Sequence, residues 1–193
     1  MTDEKRSARE AARSARRAVP EGARAAAGEA IARQVLALDG IEDVRTVLGY
    51  AATPDEADVS AALLALRERG ARVAYPRVCE DGTLTIHWAE AGSLTPGSRG
   101  ILEPAAGAPV AEPGAIDLAL VPGTAFDAEC CRLGQGGGCY DRALTRVPDH
   151  VPVVVLLFDD EVVDEVPAEP HDRPVDSAAT PTRVVRFEAG GSR

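Results

Sequence analysis

Aromatic side chains are scarce in this chain: of 193 residues, three are Phe, three are Tyr and one is Trp, and Met occurs once. The apolar 45% is therefore carried mostly by Ala, Val and Leu, an ordinary globular composition rather than that of a disordered chain. Positive charge is also short. Twenty-one Lys and Arg stand against 31 Asp and Glu, a formal net charge of −10, which argues against broad binding to a nucleic-acid backbone. No apolar run is long enough to span a bilayer, and the opening MTDEKRSARE has no apolar stretch behind it, so neither a secretory signal nor a membrane partner is expected. The four cysteines, Cys79, Cys130, Cys131 and Cys139, form no C-x-x-C pair and no disulfide-framework spacing, which points to a reduced, cytoplasmic protein. Cys130, Cys131 and Cys139 do cluster, but the second pair of ligands that a thiolate metal site needs is not nearby. His87, His150 and His171 lack metal-ligand spacing, and no Ser-His-Asp or Cys-His set can be assembled. Without a repeat or a clear linker, residues 1–193 are expected to form one domain, and a monomer, with enough chain to bury a real core.

What is present is an alternation of helical and apolar strand-like segments. An Ala- and Arg-rich helix is predicted over 4–18, and a second over 20–38 with Pro20 in its first turn and Asp39-Gly40 as its stop. VRTVLGYA (44–51) reads as a strand. Thr53 then reads as the N-cap of a helix that carries Val59, Ala62, Leu63 and Leu66 on one face and ends at Gly70. Strands are expected at 71–78 and 83–88, a long surface excursion over 89–116 around GILEP (100–104), and a buried strand over 116–123. A short helix near 140–147 and the strong strand VPVVVLLFDD (151–160) follow, then short pieces from about 161 and a frayed end over 187–193. This order predicts a mainly parallel sheet covered on both sides, with ligands at the carboxyl ends of its strands.

One loop sits just past such an end. RLGQGGGCYDR (132–142) has glycines at 134, 136, 137 and 138, an arginine before them and an aspartate after. It is neither G-x-x-x-x-G-K-[ST] nor G-x-G-x-x-G. Its bare N–H groups suit an anion nest leading into a helix, and Arg132 supplies a forked donor for phosphate. Asp141 would repel a bare anion, and so makes sense with a divalent cation such as Mg²⁺ between carboxylate and phosphate. The alternative is a flexible turn. Six cations crowd the first 17 residues, and Lys5, Arg9, Arg13 and Arg16 share one helical face. That face is either solvated or a wall that brings charge to phosphates. Glu56 completes a capping box with Thr53, or else meets N–H donors of a ligand ring.

The string VPGTAFDAECCRLGQGGGCYDRAL resembles the 5-formyltetrahydrofolate cyclo-ligase family, whose pattern is close to PG-x-x-F-D-x-x-G-x-R-L-G-x-G-x-G-Y-Y-D-R. Lys5 and Arg9, the acidic pair Glu56 and Asp58, Glu103-Pro104, Phe158-Asp159 and the stretch from His171 to Thr180 agree in order, so the likeness covers about residues 4–180. It implies a Rossmann-like α/β fold, a three-layer α/β/α sandwich, and an ATP- and Mg²⁺-dependent ligase acting on a reduced folate. It further implies ATP contacts from Lys5, Arg9, Arg132, Leu133, Gly134, Gln135, Gly136, Gly137, Gly138, Cys139 and Tyr140, with Lys5 and Arg132 catalytic. The folate would meet Ala51, Glu56, Gln135, Gly136, Gly137, Gly138 and Cys139, and Asp141 and Asp176 would hold Mg²⁺. Two positions depart from the pattern. Cys130 replaces a glycine at a turn that calls for positive φ, and Cys139 replaces a tyrosine beside the substrate. A non-catalytic nucleotide- or folate-binding protein and, more weakly, a phosphosugar isomerase are the competing readings; the latter would need an acid/base pair that is not seen.

Overall fold

The helices are α1 (Asp3–Ala18), α2 (Glu21–Leu36), α3 (Ser60–Glu68) and α4 (Cys139–Leu144). The strands are β1 (Thr46–Leu48), β2 (Arg72–Val78), β3 (Leu84–Trp88), β4 (Thr95–Pro96), β5 (Leu102–Glu103), β6 (Leu118–Pro122), β7 (Ala125–Phe126), β8 (Arg132–Leu133), β9 (Val153–Leu156), β10 (Ser177–Ala179) and β11 (Val184–Arg186). The computed structural model describes residues 3–97, 100–136, 138–167, 169 and 173–186, the side chain of Glu21 excepted. Gly137, His171 and the end expected to fray at 187–193 lie outside the described residues.

Among the described residues one sheet has the order β11-β10-β9-β6-β1-β2-β3. The five inner strands are parallel, and β3 and β11 are antiparallel edges. Successive strand side chains point to opposite faces, and this sorts the apolar runs into two cores. Leu118, Leu120, Val154 and Leu156 face Ile31 and Val35 of α2 and Leu63 and Leu66 of α3. Ala119, Val121, Val153 and Val155 face Leu144, Val147 and Phe126 on the other side. The sequence-based expectation of a mainly parallel α/β sheet is met.

Several local expectations change. The helix predicted from Thr53 begins only at Ser60, because residues 53–57 close a turn of their own. Glu56 N–H donates to Thr53 O at 3.0 Å, Thr53 N–H donates back to the Glu56 carboxylate at 2.9 Å, and Tyr50 OH binds Ala57 O at 2.6 Å. Asp58 then accepts from Ser60 N–H at 2.9 Å and starts the helix in place of Thr53. The excursion over 89–116 is not only surface, since Ala111 and Ile116 are buried and β4 pairs with β5 in a hairpin. The tail supplies two strands rather than loose pieces: β10 extends the parallel sheet beside β9, and β11 closes its edge.

Asp117 ties the start of β6 to the start of β1. Its carboxylate accepts from Arg45 N–H, Thr46 N–H and Thr46 Oγ1 at 2.9, 2.8 and 2.7 Å. Burial pushes this carboxyl up, but the bonds from Thr46 and Arg45 outweigh it and hold the pKa below the usual value. A folded pKa below the unfolded one gives stabilisation that is complete above about pH 4 and is lost as pH falls through the folded value. Asp117→Asn is therefore expected to lower the urea midpoint at pH 7 and to flatten the loss of stability between neutral pH and pH of about 3.

Cys130 has φ of +64°, as its place in a glycine turn predicts. The turn wraps the buried Asp127, whose carboxylate accepts from Glu129 and Cys131 N–H at 3.0 Å each and from Val166 N–H at 2.8 Å. The left-handed backbone costs a non-glycine residue about 1–2 kcal/mol, and burial of the Cys130 side chain offsets part of this. Cys130→Gly should accordingly stay within about 1 kcal/mol of the parent and be more stable than Cys130→Ala, the reverse of the usual order in a core. Chemical denaturation of the two variants checks that order.

Candidate active site

The β6 strand ends at Pro122-Gly123, and a Cβ at Gly123 would fall 2.4 Å from Val155 Cγ2, so only glycine lets the chain turn so close to β9. The β7–β8 hairpin returns it to Gly134, and the loop enters α4 with Gly136 at φ +102° and Gly138 at φ +59°. These left-handed positions are why the loop is built of glycine.

Helix α1 lies against this loop through its cationic face. Arg9 Nε donates to Gly134 O at 2.7 Å, and its guanidinium lies 3.3–3.5 Å from where a Cβ of Gly136 would stand. Its Nη1 is buried without a hydrogen-bond partner among the described residues. A buried N–H without an acceptor is costly and is rarely left so, which marks a place where an anion fits. Arg13 Nη2 donates to Gln135 Oε1 at 2.9 Å, and Lys5 Nζ pairs with Glu169 at 2.7 Å. Arg16 is buried further along, paired with Glu161 and donating to Gly123 O. Every fully buried side chain of α1 among the described residues is cationic.

Arg132 is turned inward. Its side chain is 2% exposed; Nη1 donates to Pro122 O at 3.1 Å and Nη2 pairs with Asp141 at 2.7 Å. Leu133 packs with Ala125 and Val166 in a small apolar cluster. Beside the loop a partly open, mostly apolar pocket is lined by Tyr50, Ala51, Pro76, Ile101, Leu102 and Tyr140. Glu56 is buried in its wall and accepts from Gln135 Nε2 at 3.3 Å. Cys139 also faces the pocket, its Sγ donating to Gly82 O at 3.2 Å. Burial, reinforced by the Glu56 charge, pushes the Tyr50 and Tyr140 hydroxyls well above the usual value, so both stay neutral donors.

The structure thus brings together Arg9, the described part of the glycine loop, Arg132, Tyr140, Asp141, Ala51 and Glu56, with Lys5 one turn of α1 away. Asp176 is not among them. Its carboxylate accepts from Val153 N–H at 2.8 Å at the amino end of β9, whereas Arg132 and Asp141 meet Pro122 at the carboxyl end of β6, opposite Leu156. Three residues of strand, roughly 10 Å, separate these two backbone levels, while Val175 N–H donates to Cys130 O at 3.1 Å and so ties the residue before Asp176 to the turn that leads into Arg132. The pairing of Asp141 with Asp176 around one cation stays an expectation, which the Mg²⁺ dependence of variants at both positions tests. Among the described residues no three His, Cys, Asp or Glu cluster as a metal cage. Mg²⁺ is commonly held by one or two carboxylates and the substrate's phosphates, and Asp141 beside the loop fits that donor set. Sequence reading gives no place in the site to Tyr50, Pro76, Ile101, Leu102 or Glu103, although the last three fall within GILEP.

Fold and site define a class: a mainly parallel α/β protein whose arginine-backed glycine loop and apolar pocket share the carboxyl edge of the sheet. The 5-formyltetrahydrofolate cyclo-ligase family model matches residues 1–181, and the chain belongs to that family. It is 36% identical over 177 residues to a 5-formyltetrahydrofolate cyclo-ligase of Mycolicibacterium smegmatis, covering 88% of this chain and 90% of that one. The NMR structure of Aquifex aeolicus 5,10-methenyltetrahydrofolate synthetase superposes with a TM-score of 0.83 at 28% identity, over 98% of this chain and 95% of that one. A 5,10-methenyltetrahydrofolate synthetase from Mycoplasma pneumoniae shares the fold, with a TM-score of 0.76 at 22% identity over 93% of this chain and 99% of that one.

Proposed function

We propose that this chain, as one domain, closes 5-formyltetrahydrofolate to 5,10-methenyltetrahydrofolate with hydrolysis of ATP to ADP and phosphate. Family membership and the names of its relatives support the overall reaction. The observation that carries the ATP half is the buried Arg9 Nη1, unpartnered among the described residues, beside the bare backbone of Gly134 and Gly136. Lys5, Arg9 and the loop from Arg132 to Tyr140 would neutralise the phosphates, and Ala51, Glu56, Gln135 and Cys139 would line the folate side.

The formyl oxygen is a poor leaving group. Attack by that oxygen on the γ-phosphorus forms an O–P bond and releases ADP. The folate N10 then attacks the same carbon and loses its proton, and the C–O electrons leave with phosphate. Both nucleophiles belong to the substrate, which accounts for the lack of a nucleophile-base set in the chain. The protein's work is to hold two substrates in line and to balance charge from fixed donors. Asp141 would hold Mg²⁺, which supplies further charge neutralisation at the phosphates. Glu56, an acceptor already poised by Thr53 N–H, suits the amino and ring N–H donors of a pteridine.

A monomer in the cytoplasm, with no nucleic-acid or membrane partner, completes the reading; no described helix is long and apolar enough to cross a membrane. Mixing the protein with Mg-ATP and 5-formyltetrahydrofolate should give the methenyl absorbance and one ADP per product. Folded protein that binds nucleotide tightly and forms no product would instead mark a binding module.

A further inference from the structure

The structure assigns Glu103 as a positioning residue that fixes the outer apolar wall of the pocket, Ile101 and Leu102, against the substrate's benzoyl ring. This rests on the folate reading above and adds residues that the reading does not use.

The argument starts from an open strand edge. In β2 the even-numbered residues turn their backbone groups toward β1, since Arg72 N–H donates to Arg45 O at 2.8 Å and Ala74 O accepts from Gly49 N–H at 2.8 Å. The β1 strand stops at Leu48, opposite Ala74, but β2 runs on to Val78. Two positions of β2, 76 and 78, therefore face an open edge. Pro76 has no N–H, and Val78 N–H donates to Glu103 Oε2 at 3.2 Å. The other carboxylate oxygen pairs with Arg77 at 2.9 Å, and Arg77 also donates to Pro104 O. Glu103 is 5% exposed, a buried charge held by a backbone donor and a guanidinium.

Room for that carboxylate is made by Gly97, where a Cβ would fall 2.3 Å from Glu103 Cδ and 2.5 Å from Oε2. The β4–β5 hairpin is thus pinned to β2 by one side chain, and the residues just before it are carried to the pocket. Ile101 and Leu102 are 40% and 47% exposed, among the few large apolar side chains so open, and both line the pocket with Pro76 and Val78. The polar anchors Glu56 and Gln135 lie elsewhere in the same lining, so the apolar wall is left for the flat ring that joins N10 to the glutamate end.

The test measures KM and kcat for 5-formyltetrahydrofolate, and Kd for Mg-ADP, in the full chain. The variants are Glu103→Ala, Glu103→Gln, the pair Ile101→Ala with Leu102→Ala, and that pair combined with Glu103→Ala. Glu103→Ala and the wall pair are each expected to raise KM about tenfold, the scale of a lost apolar fit, with kcat and nucleotide affinity held within about twofold. Glu103→Gln, which keeps an acceptor for Val78 N–H, should recover most of the loss. The combination should be no worse than the wall pair, because Glu103 acts through it. Additive losses, an unchanged KM in Glu103→Ala, or an equal loss of Mg-ADP binding overturns the assignment. If Glu103→Ala does not fold, Gly97→Ala displaces the same carboxylate and carries the same expectations. A parent chain that binds no 5-formyltetrahydrofolate defeats the proposed function, whereas a parent that binds it beside unaffected variants defeats this assignment alone.

Discussion

Asp141→Asn should lower kcat by about 10²–10³-fold and raise the Mg²⁺ concentration needed for half-maximal rate, with the fold retained. Asparagine keeps the shape and an oxygen to accept from Arg132 Nη2, now at 2.7 Å from the carboxylate. It removes the negative charge that pairs with the inward-turned arginine beside the glycine loop. Some stability goes too, up to about 3 kcal/mol, because the Arg132 side chain keeps its burial and loses its counter-charge. The same change at Asp176 is expected to act differently. That carboxylate staples the start of β10 to Val153 N–H, so Asp176→Asn should lower the urea midpoint and leave the Mg²⁺ dependence where it was. Rate against Mg²⁺ concentration for the two variants, each with a denaturation curve, separates a metal-holding aspartate from a strand-holding one. Equal shifts in Mg²⁺ dependence would instead show that the two aspartates hold one cation together.

The second large effect is on stability. Arg16 and Glu161 form a nearly dry ion pair, each side chain 2% exposed. Burial pulls the Arg16 pKa down, but the hydrogen bond and charge of Glu161 more than offset this and keep the guanidinium ionised. Both partners have further duties: Arg16 donates to Gly123 O, and Glu161 accepts from Phe158 N–H at 2.9 Å. Removing one partner leaves an uncompensated buried charge, which costs about 3–5 kcal/mol, or roughly 10 °C in Tm for a chain of this size. Arg16→Met and Glu161→Gln should each show that loss. The double variant should lose less than the sum, since a pair replaced together leaves no stranded charge. Because Arg16 also holds Gly123, the turn into the site, thermal melts and nucleotide affinity are expected to fall together.

What was legible in the sequence was whatever local pattern decides. Four cations at helical spacing gave α1 and its working face, the Val and Leu run gave β9, and the glycines gave the loop and its helix. The helix predicted from Thr53 failed because Glu56 serves two masters: it closes a turn with Thr53 and reaches Gln135 across the site. A capping box reads the first and is blind to the second. The β10 strand, Ser-Ala-Ala, has no apolar signature, because pairing with β9 and β11 rather than its side chains makes it a strand. Asp176 falls within a motif match, but its bond to Val153 N–H across the start of β9 and β10 is a tertiary contact that the motif does not record. The importance of Glu103 depends on β1 stopping short of β2, a fact of tertiary register that no window of residues records.

The contacts that seat α1 join residues 164, 125 and 145 positions apart: Lys5 to Glu169, Arg9 to Gly134, and Arg16 to Glu161. On the ribosome the first helix made must therefore wait on the order of ten seconds for its counterparts to emerge. A chain cut short before Glu161 has the glycine loop but lacks the buried partner of Arg16 that helps to seat α1.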